Sequence, residues 1–360
     1  MKKVLITASG FSHIVSFHLP YLRSLRDRGW EVHLCCGGEP TGIDCADQLF
    51  SVPFTKSMLS PANLRVSRTI HRLCREHDYD LLITHTSLAA FFTRLGTFAL
   101  RKRPRVINVV HGYLFDDSDS LPRRLIMEGA ERLLAGHTDL VLTMNEYDYR
   151  WATVHRAAPQ VKSIHGMGVA LSPRESAERA DLGLGEDDYV MIFPAEFSPR
   201  KNQAMLIRAL PRLPRCCKLL LPGQGELLGS CKALAGELGV EDRVIFPGFV
   251  RDIGSLLAVS DLAVSSSRYE GLPFNVMEAM AFGLPRVVSD VKGNRDLVKD
   301  GVSGFLFPYG DVAAFAAAVR RLLDEPELQK SMGQRSREDF DAYRLENVFP
   351  EVMEAYLSVL

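Results

Sequence analysis

Short unbroken apolar runs recur along this chain, separated by stretches in which apolar residues return every three or four positions. The runs read as parallel strands buried on both faces, and the periodic stretches as helices laid over them. In the first half the runs fall at Lys3–Ala8, Val32–Cys36, Leu81–Thr84, Val106–Val110, Asp139–Thr143 and Val161–His165. In the second they fall at Val190–Pro194, Lys218–Leu221, Val244–Phe246, Asp261–Val264, Arg286–Ser289 and Phe305–Phe307. Helical periodicity is clearest over Ser16–Arg28, which stops at Gly29, over Asn63–His77 and over Ala313–Leu323; about Asp341–Leu360 is helical too. This alternation predicts an α/β fold of doubly wound sheets. At 360 residues the chain is too long for one ordinary core. Gly166–Ser172 reads as a linker and the polar, acidic Pro173–Asp188 as the approach to a second sheet. The expected domains are 1–168 and 169–341, with 342–360 as a terminal helical segment.

The helix over Asn63–His77 is two-sided. Val66, Ile70, Leu73 and Cys74 lie on one face, and Arg65, Arg68, Arg72 and Arg75 on the other. Such a stripe is either a solvated face or a contact for anionic lipid headgroups. Charge is shared unevenly along the chain. Residues 1–168 hold 21 Lys+Arg against 16 Asp+Glu, which leaves the remainder at −6 within a total of −1. All ten histidines also lie in this first half, so it suits an anionic partner or surface. No nucleic-acid partner is expected. Hydrophobic content of 46% and charged content of 24% are those of a soluble globular protein, and no apolar run approaches membrane-helix length. The start, MKKVLITASG, turns into a strand too soon for a signal peptide. Seven cysteines without a CxxC pair point to a reducing cytoplasm and no structural zinc.

Candidate chemistry concentrates in Arg268–Asp296, RYEGLPFNVMEAMAFGLPRVVSDVKGNRD. Pro273 sits where a helix should start, and the helix reads Phe274 to Phe282, stopping at Gly283. Glu270 therefore lies in the strand-to-helix loop, while Glu278 lies inside a largely apolar helix, where an unpartnered carboxylate is costly. Gly271, Leu272, Pro273 and Phe274 would bring backbone groups and a positive helix end to a phosphate. Two carboxylates flanking an anion site suit a nucleotide sugar. Arg200 and Lys201 precede another helix, where cations either form a solvated basic turn or make sense beside an anion. Gly223 and Gly225 in PGQGE permit close backbone approach after a strand. His85 and His111 end two strands on the sheet edge where ligands bind. The loop after the first strand has Gly10 but no GxGxxG, which weighs against a nicotinamide enzyme. Asp117–Ser118–Asp119 is a DxD triplet in an acidic polar loop. It is not read as a metal site, and neither metal nor other cofactor is expected.

The Glu270…Glu278 element with the upstream Arg200–Lys201 resembles the retaining glycosyltransferases of family four, which have the two-domain GT-B fold. The resemblance spans nearly the whole chain. Phe11–Val32, His85–Gly96, Val109–Phe115 and Leu142–Ala152 are similar to the bacterial branch that builds capsular and extracellular polysaccharides. The resemblance implies two Rossmann-like domains facing each other across a cleft, the first for the acceptor and the second for the nucleotide sugar. It also implies that the terminal helix crosses back onto the first domain. By the same likeness, Glu270 holds donor-sugar hydroxyls, Glu278 the ribose, and Lys201 the diphosphate. His111 approaches the sugar and its phosphate. His111, Lys201 and Glu270 are the catalytic candidates, and Gly10, Gly223 and Arg251 complete the donor site, with Arg251 near the base. An arginine common five or six residues before the lysine is replaced here by Glu196, which nominates Arg200 for the clamp. The implied activity is metal-independent, retaining transfer from a UDP-sugar, with UDP-N-acetylhexosamine preferred by analogy. The implied acceptor is a polyprenyl-diphosphate-linked saccharide at the inner membrane face, which makes the protein peripheral. A nucleotide-sugar epimerase on the same scaffold, which needs no acceptor, and a non-catalytic subunit of an assembly complex are the alternatives.

Overall fold

The computed structural model describes residues 1–55, 58, 60–170 and 177–360. Part of the expected linker and part of the acidic stretch after it fall at 171–176, outside the described residues. The chain divides into two compact units, 1–168 with 345–360, and 169–344.

The first unit is built on seven strands: β1 Lys3–Ala8, β2 Glu31–Cys36, β3 Gln48–Ser51, β4 Leu81–His85, β5 Arg105–Val110, β6 Leu140–Thr143 and β7 Gln160–Ser163. They lie in the order β3-β2-β1-β4-β5-β6-β7, and every pairing is parallel. β1 is central, with Val4 opposite Val32 on one side and Leu81 on the other. Apolar side chains cover both faces of the inner strands, which is why these strands read as unbroken runs. The edge strand β3 escapes that signal, because its QLFS is mostly exposed. Helix Pro61–His77 buries Val66, Ile70, Leu73 and Cys74 and leaves its four arginines exposed.

One expected helix becomes two. Instead of Ser16–Arg28, helices run over Phe11–Phe17 and Leu19–Asp27 and meet at His18, whose φ is −119°. Pro20 has no amide to continue the first helix and sits in the opening turn of the second. The terminal helix Leu345–Leu357 belongs to this unit. Its Phe349 stacks on Tyr21 with ring centroids 5.2 Å apart, and the Tyr21 hydroxyl donates to the Met167 carbonyl at 2.9 Å.

The second unit repeats the plan with six strands: β8 Tyr189–Ile192, β9 Cys217–Leu220, β10 Val244–Ile245, β11 Leu262–Ser265, β12 Arg286–Ser289 and β13 Gly304–Phe307. Their order is β10-β9-β8-β11-β12-β13, again parallel throughout. Helices Gln203–Ala209 and Val312–Asp324 pack on one face through Leu206, Ile207, Phe315 and Val319. A helix absent from the sequence reading, Pro326–Phe340, packs beside helix Phe274–Ala281. Its buried face is Met332, Gly333, Ser336 and Phe340, so half of that face carries no apolar signal. A side chain at Gly333 would meet the Gly283 carbonyl oxygen at 2.5 Å, so glycine is what lets the backbones approach.

Each sheet reverses its strand order once, between β1 and β4 and between β8 and β11. Ligands in open α/β sheets bind beyond the C-terminal strand ends at such a reversal. Among the described residues, no helix is long and apolar enough to cross a membrane.

Candidate active site

The two strands flanking the reversal in the second sheet feed the loops that carry the charged candidates. The loop after β8 tightens into a turn in which the Lys201 and Asn202 amides both donate to the Ser198 carbonyl, at 3.0 and 3.2 Å. Asn202 takes φ +52° at the start of helix Gln203–Ala209, a conformation asparagine tolerates better than most residues. The loop after β11 is stitched to this turn. The Arg268 amide donates to the Arg200 carbonyl at 2.8 Å, and the Ser266 hydroxyl reaches the Lys201 and Asn202 carbonyls, each at 2.9 Å.

These backbone bonds aim three side chains at one point. Glu270 accepts from Lys201 Nζ at 2.5 Å and from Arg200 at 2.7 Å. Lys201 and Glu270 are buried, while Arg200 is a third exposed. Burial pulls the Lys201 ammonium below its usual range, although the Glu270 carboxylate works against that pull. Burial alone would raise the Glu270 carboxyl, but Lys201 and Arg200 outweigh it and hold it below the usual value. Two cations share one hydrogen-bonded carboxylate, and Glu196 acts on Lys201 from farther off. Fixed cations set around a single buried carboxylate suit an anion.

Pro273 is the residue before helix Phe274–Ala281 and not its first residue, as the sequence suggested. Its ψ of 116° is extended, so it turns the chain into the helix from outside. Glu278, inside the helix, is half-buried. It has no hydrogen-bond or ion-pair partner among the described residues, and burial pushes its carboxyl up to about 7. The folded value exceeds the ordinary 4.5, so between these pH values the folded chain holds more proton than the unfolded one, and stability falls as pH rises. Glu278→Gln should therefore stabilise the protein at pH 8 by about 1–2 kcal/mol and leave it unchanged near pH 4. Thermal melts at both pH values check this; equal gains at the two would remove the carboxylate as the cause. The same variant should bind nucleotide sugar more weakly if the carboxylate grips hydroxyls.

Glycines close the loops around this centre. A side chain at Gly223 would lie 2.0 Å from the Ala195 carbonyl oxygen, and one at Gly225 2.4 Å from that of Phe197. Both glycines serve contact between the loops after β8 and β9, so the close approach expected there is made by protein backbone. Gly293 packs the same way against Glu270–Gly271, where a side chain would meet the Gly271 carbonyl oxygen at 2.6 Å. Arg251 is exposed on the loop after β10. Gly293–Asp296 reads from the sequence as a supporting segment, whereas Ser266 carries no signal there beyond a serine run after β11.

Gly10 and His111 stand on the first unit. Gly10 has extended φ of −156° and precedes helix Phe11–Phe17. His111 Nε2 lies 3.1 Å from His85 Nδ1, and its ring is 4.7 Å from that of His13. The His18 ring lies tilted against that of His85, with centroids 3.9 Å apart. Burial, with each neighbouring imidazole adding to it, holds His18, His85 and His111 far below the usual range, and burial brings His13 to about 4. All four are neutral at physiological pH. The DxD residues lie elsewhere in this unit, Asp117 paired with Arg124 and Asp119 with Arg123, both at 3.2 Å.

The chain is similar to known proteins over its whole length. Residues 174–339 match the family profile described as glycosyl transferases group 1, and residues 19–180 the glycosyl transferase 4-like domain. EpsD of Bacillus subtilis (strain 168), provisionally assigned as a glycosyltransferase, is 34% identical over 99% of this chain and 98% of its own. An Escherichia coli relative, the UDP-Gal:alpha-D-GlcNAc-diphosphoundecaprenol alpha-1,3-galactosyltransferase, is 25% identical over 84% of this chain and 83% of its own. Among solved structures, Anabaena HepE in complex with UDP and glucose superposes with a TM-score of 0.79 at 22% identity, covering 100% of both chains. With two Rossmann-like sheets of the GT-B type and relatives that match it from end to end, this chain belongs to the family-four glycosyltransferases.

Proposed function

We propose that this glycosyltransferase moves a sugar from a uridine diphosphate donor, with retention of configuration, to a polyprenyl-diphosphate-linked saccharide during cell-surface polysaccharide synthesis. The observation that carries the reading is the buried Lys201–Glu270–Arg200 cluster at the strand-order reversal of the second sheet. Its cations are fixed before substrate arrives, so they cost no reorganisation when the diphosphate departs. Lys201 and Arg200 meet the leaving charge, aided by the positive end of helix Phe274–Ala281 and in place of a metal. Glu270 orients sugar hydroxyls and Glu278 holds the ribose. The donor's C1–O bond to the β-phosphate breaks as the acceptor oxygen bonds to C1. The acceptor's proton passes to a phosphate oxygen on the same face. His111 supports the sugar from the first domain.

Two names support the substrates. The Escherichia coli relative is named for UDP-galactose and a diphosphoundecaprenol acceptor, and HepE was solved with UDP and glucose. An acceptor anchored in lipid would put the reaction at a membrane surface, and the proposed surface is the cytoplasmic one. The exposed Arg65, Arg68, Arg72 and Arg75, and the exposed Leu121, Leu125, Ile126 and Leu133 on helix Leu121–Leu134, suit such a surface.

One assay tests the whole reading. The purified protein is incubated with a panel of nucleotide sugars, in EDTA, with polyprenyl-diphosphate-GlcNAc in anionic vesicles. The expected result is acceptor-dependent UDP release with an α-linked product from an α-linked donor. An inverted linkage, a requirement for added magnesium, or conversion of the nucleotide sugar without acceptor would each overturn a named part of it.

A further inference from the structure

We propose that Glu31, His33 and His77 form a divalent-metal site in the first unit, with Zn2+ as its occupant. Glu31 and His33 stand two residues apart on β2, so their side chains leave the same face of the strand. His77 is the last residue of helix Pro61–His77, and its ring centroid lies 4.9 Å from that of His33. One ligand atom from each of the three lies within 4.8 Å of the other two. His33 Nε2 and Glu31 Oε1 are 2.8 Å apart. Donors that share one tetrahedral zinc at about 2.0–2.2 Å are about 3.4 Å from each other. A small opening of that pair and a turn of the half-buried His77 ring would complete three ligands.

An ion pair alone explains the grouping poorly. His33 is fully buried, yet its Nε2 makes no hydrogen bond, because the nearby Glu31 oxygen stands off the direction in which that nitrogen points. The other ring nitrogen, Nδ1, is engaged by the Tyr79 hydroxyl at 2.7 Å, which fixes the ring and reserves Nε2. Lys3 holds Glu31 Oε2 at 3.1 Å and leaves Oε1 on the histidine side. Histidine and carboxylate ligands of metals are oriented by outer partners of this kind. Among the described residues the His77 ring touches the rings of His33, Phe50 and Tyr79 and makes no hydrogen bond, so both of its nitrogens are available. Two imidazoles and one carboxylate suit zinc better than magnesium or calcium, and three protein ligands leave one corner of the tetrahedron for water. The ion would pin the last turn of the arginine-bearing helix to β2. It lies at the N-terminal ends of the strands, whereas His111 follows the C-terminal end of β5, so it takes no part in sugar transfer.

The test uses the full chain, freed of any affinity tag, stripped with a chelator and titrated with ZnCl2 in a calorimeter. Because His13, His18, His85 and His111 also converge, variants locate the ion and uptake alone does not. His77→Gln and Glu31→Gln should each weaken one equivalent about 100-fold or more, since a lost ligand outweighs a lost outer partner. Tyr79→Phe, which keeps the buried ring and removes only the hydroxyl beside His33, should weaken the same equivalent about 10- to 100-fold. His71→Gln, on the same helix but outside the grouping, should bind as the wild type does. Zinc should raise the thermal midpoint of the wild type and not that of His77→Gln. Crystals grown with ZnCl2 should show a zinc-edge anomalous peak between the three side chains. No zinc uptake, His77→Gln and Glu31→Gln that bind every equivalent as tightly as the wild type, or an anomalous peak only elsewhere would overturn the proposal. If a variant does not fold, the other variant and the anomalous peak in the wild-type chain decide.

Discussion

Lys201→Ala lowers kcat by about 100- to 1,000-fold and leaves KM for the nucleotide sugar within a few-fold. The asymmetry follows from where charge develops. On the proposed placement, the ground-state diphosphate would be shared between Arg200, the helix end and solvent, and Lys201 would add a modest share of its binding. As the bond to the sugar breaks, negative charge grows on the β-phosphate. A buried ammonium then acts through a medium that screens it poorly. Lys201→Arg should restore part of kcat, because charge is kept while the position shifts. Steady-state kinetics with the native acceptor measure both values. A rise in KM with kcat intact would make Lys201 a binding residue only, and wild-type turnover would remove it from the mechanism.

The second large effect is on stability. Glu270→Ala leaves Lys201 buried beside Arg200 without the carboxylate it is hydrogen-bonded to, only the field of Glu196 still favouring its charge, and breaking such a pair typically costs about 3–5 kcal/mol. Because Arg200 is partly solvated and Lys201 can shed its proton, the lower end, about 3 kcal/mol, is expected at pH 7. That lowers the melting temperature by roughly 10 °C for a unit of this size. The pH dependence has a definite sign. Lys201 is already held below 10.5 when folded, and loss of Glu270 lowers it further, so the penalty is full near neutral pH, where the ammonium is charged and the wild-type carboxylate is ionised. The deficit narrows as pH rises through the folded value toward 10.5. In the wild type the Glu270 carboxyl is held below 4.5, so its stabilisation is present above 4.5 and disappears as pH falls through the folded value. The variant lacks that acid-side loss. Denaturant melts across pH would contradict this account if the deficit were constant or grew on the alkaline side.

Much of this protein is legible locally. Strands buried on both faces announce themselves as apolar runs, a signal that the exposed edge strands β3 and β7 lack. Glu278 betrays itself as a carboxylate in an apolar helix, and Arg200–Lys201 as cations at the wrong helix end. Helix Pro326–Phe340 is illegible because glycine and serine occupy its buried face, where close backbone contact replaces apolar bulk. The break at His18 was available in Pro20 and was overridden by the helical periodicity around it.

The sequence by itself determined the α/β class, the two sheets and the chemical types of the candidate residues, because each of these is written in spacings of two to seven positions. Only the tertiary structure decided which of those residues meet. Glu270 finds Lys201 and Arg200 because β8 and β11 are neighbours at a reversal of strand order, and buried parallel strands look too alike in sequence to reveal who pairs with whom. The four histidines are separated by up to almost a hundred residues. They converge because the segments that carry them follow β1, β4 and β5, adjacent strands whose C-terminal ends share one edge.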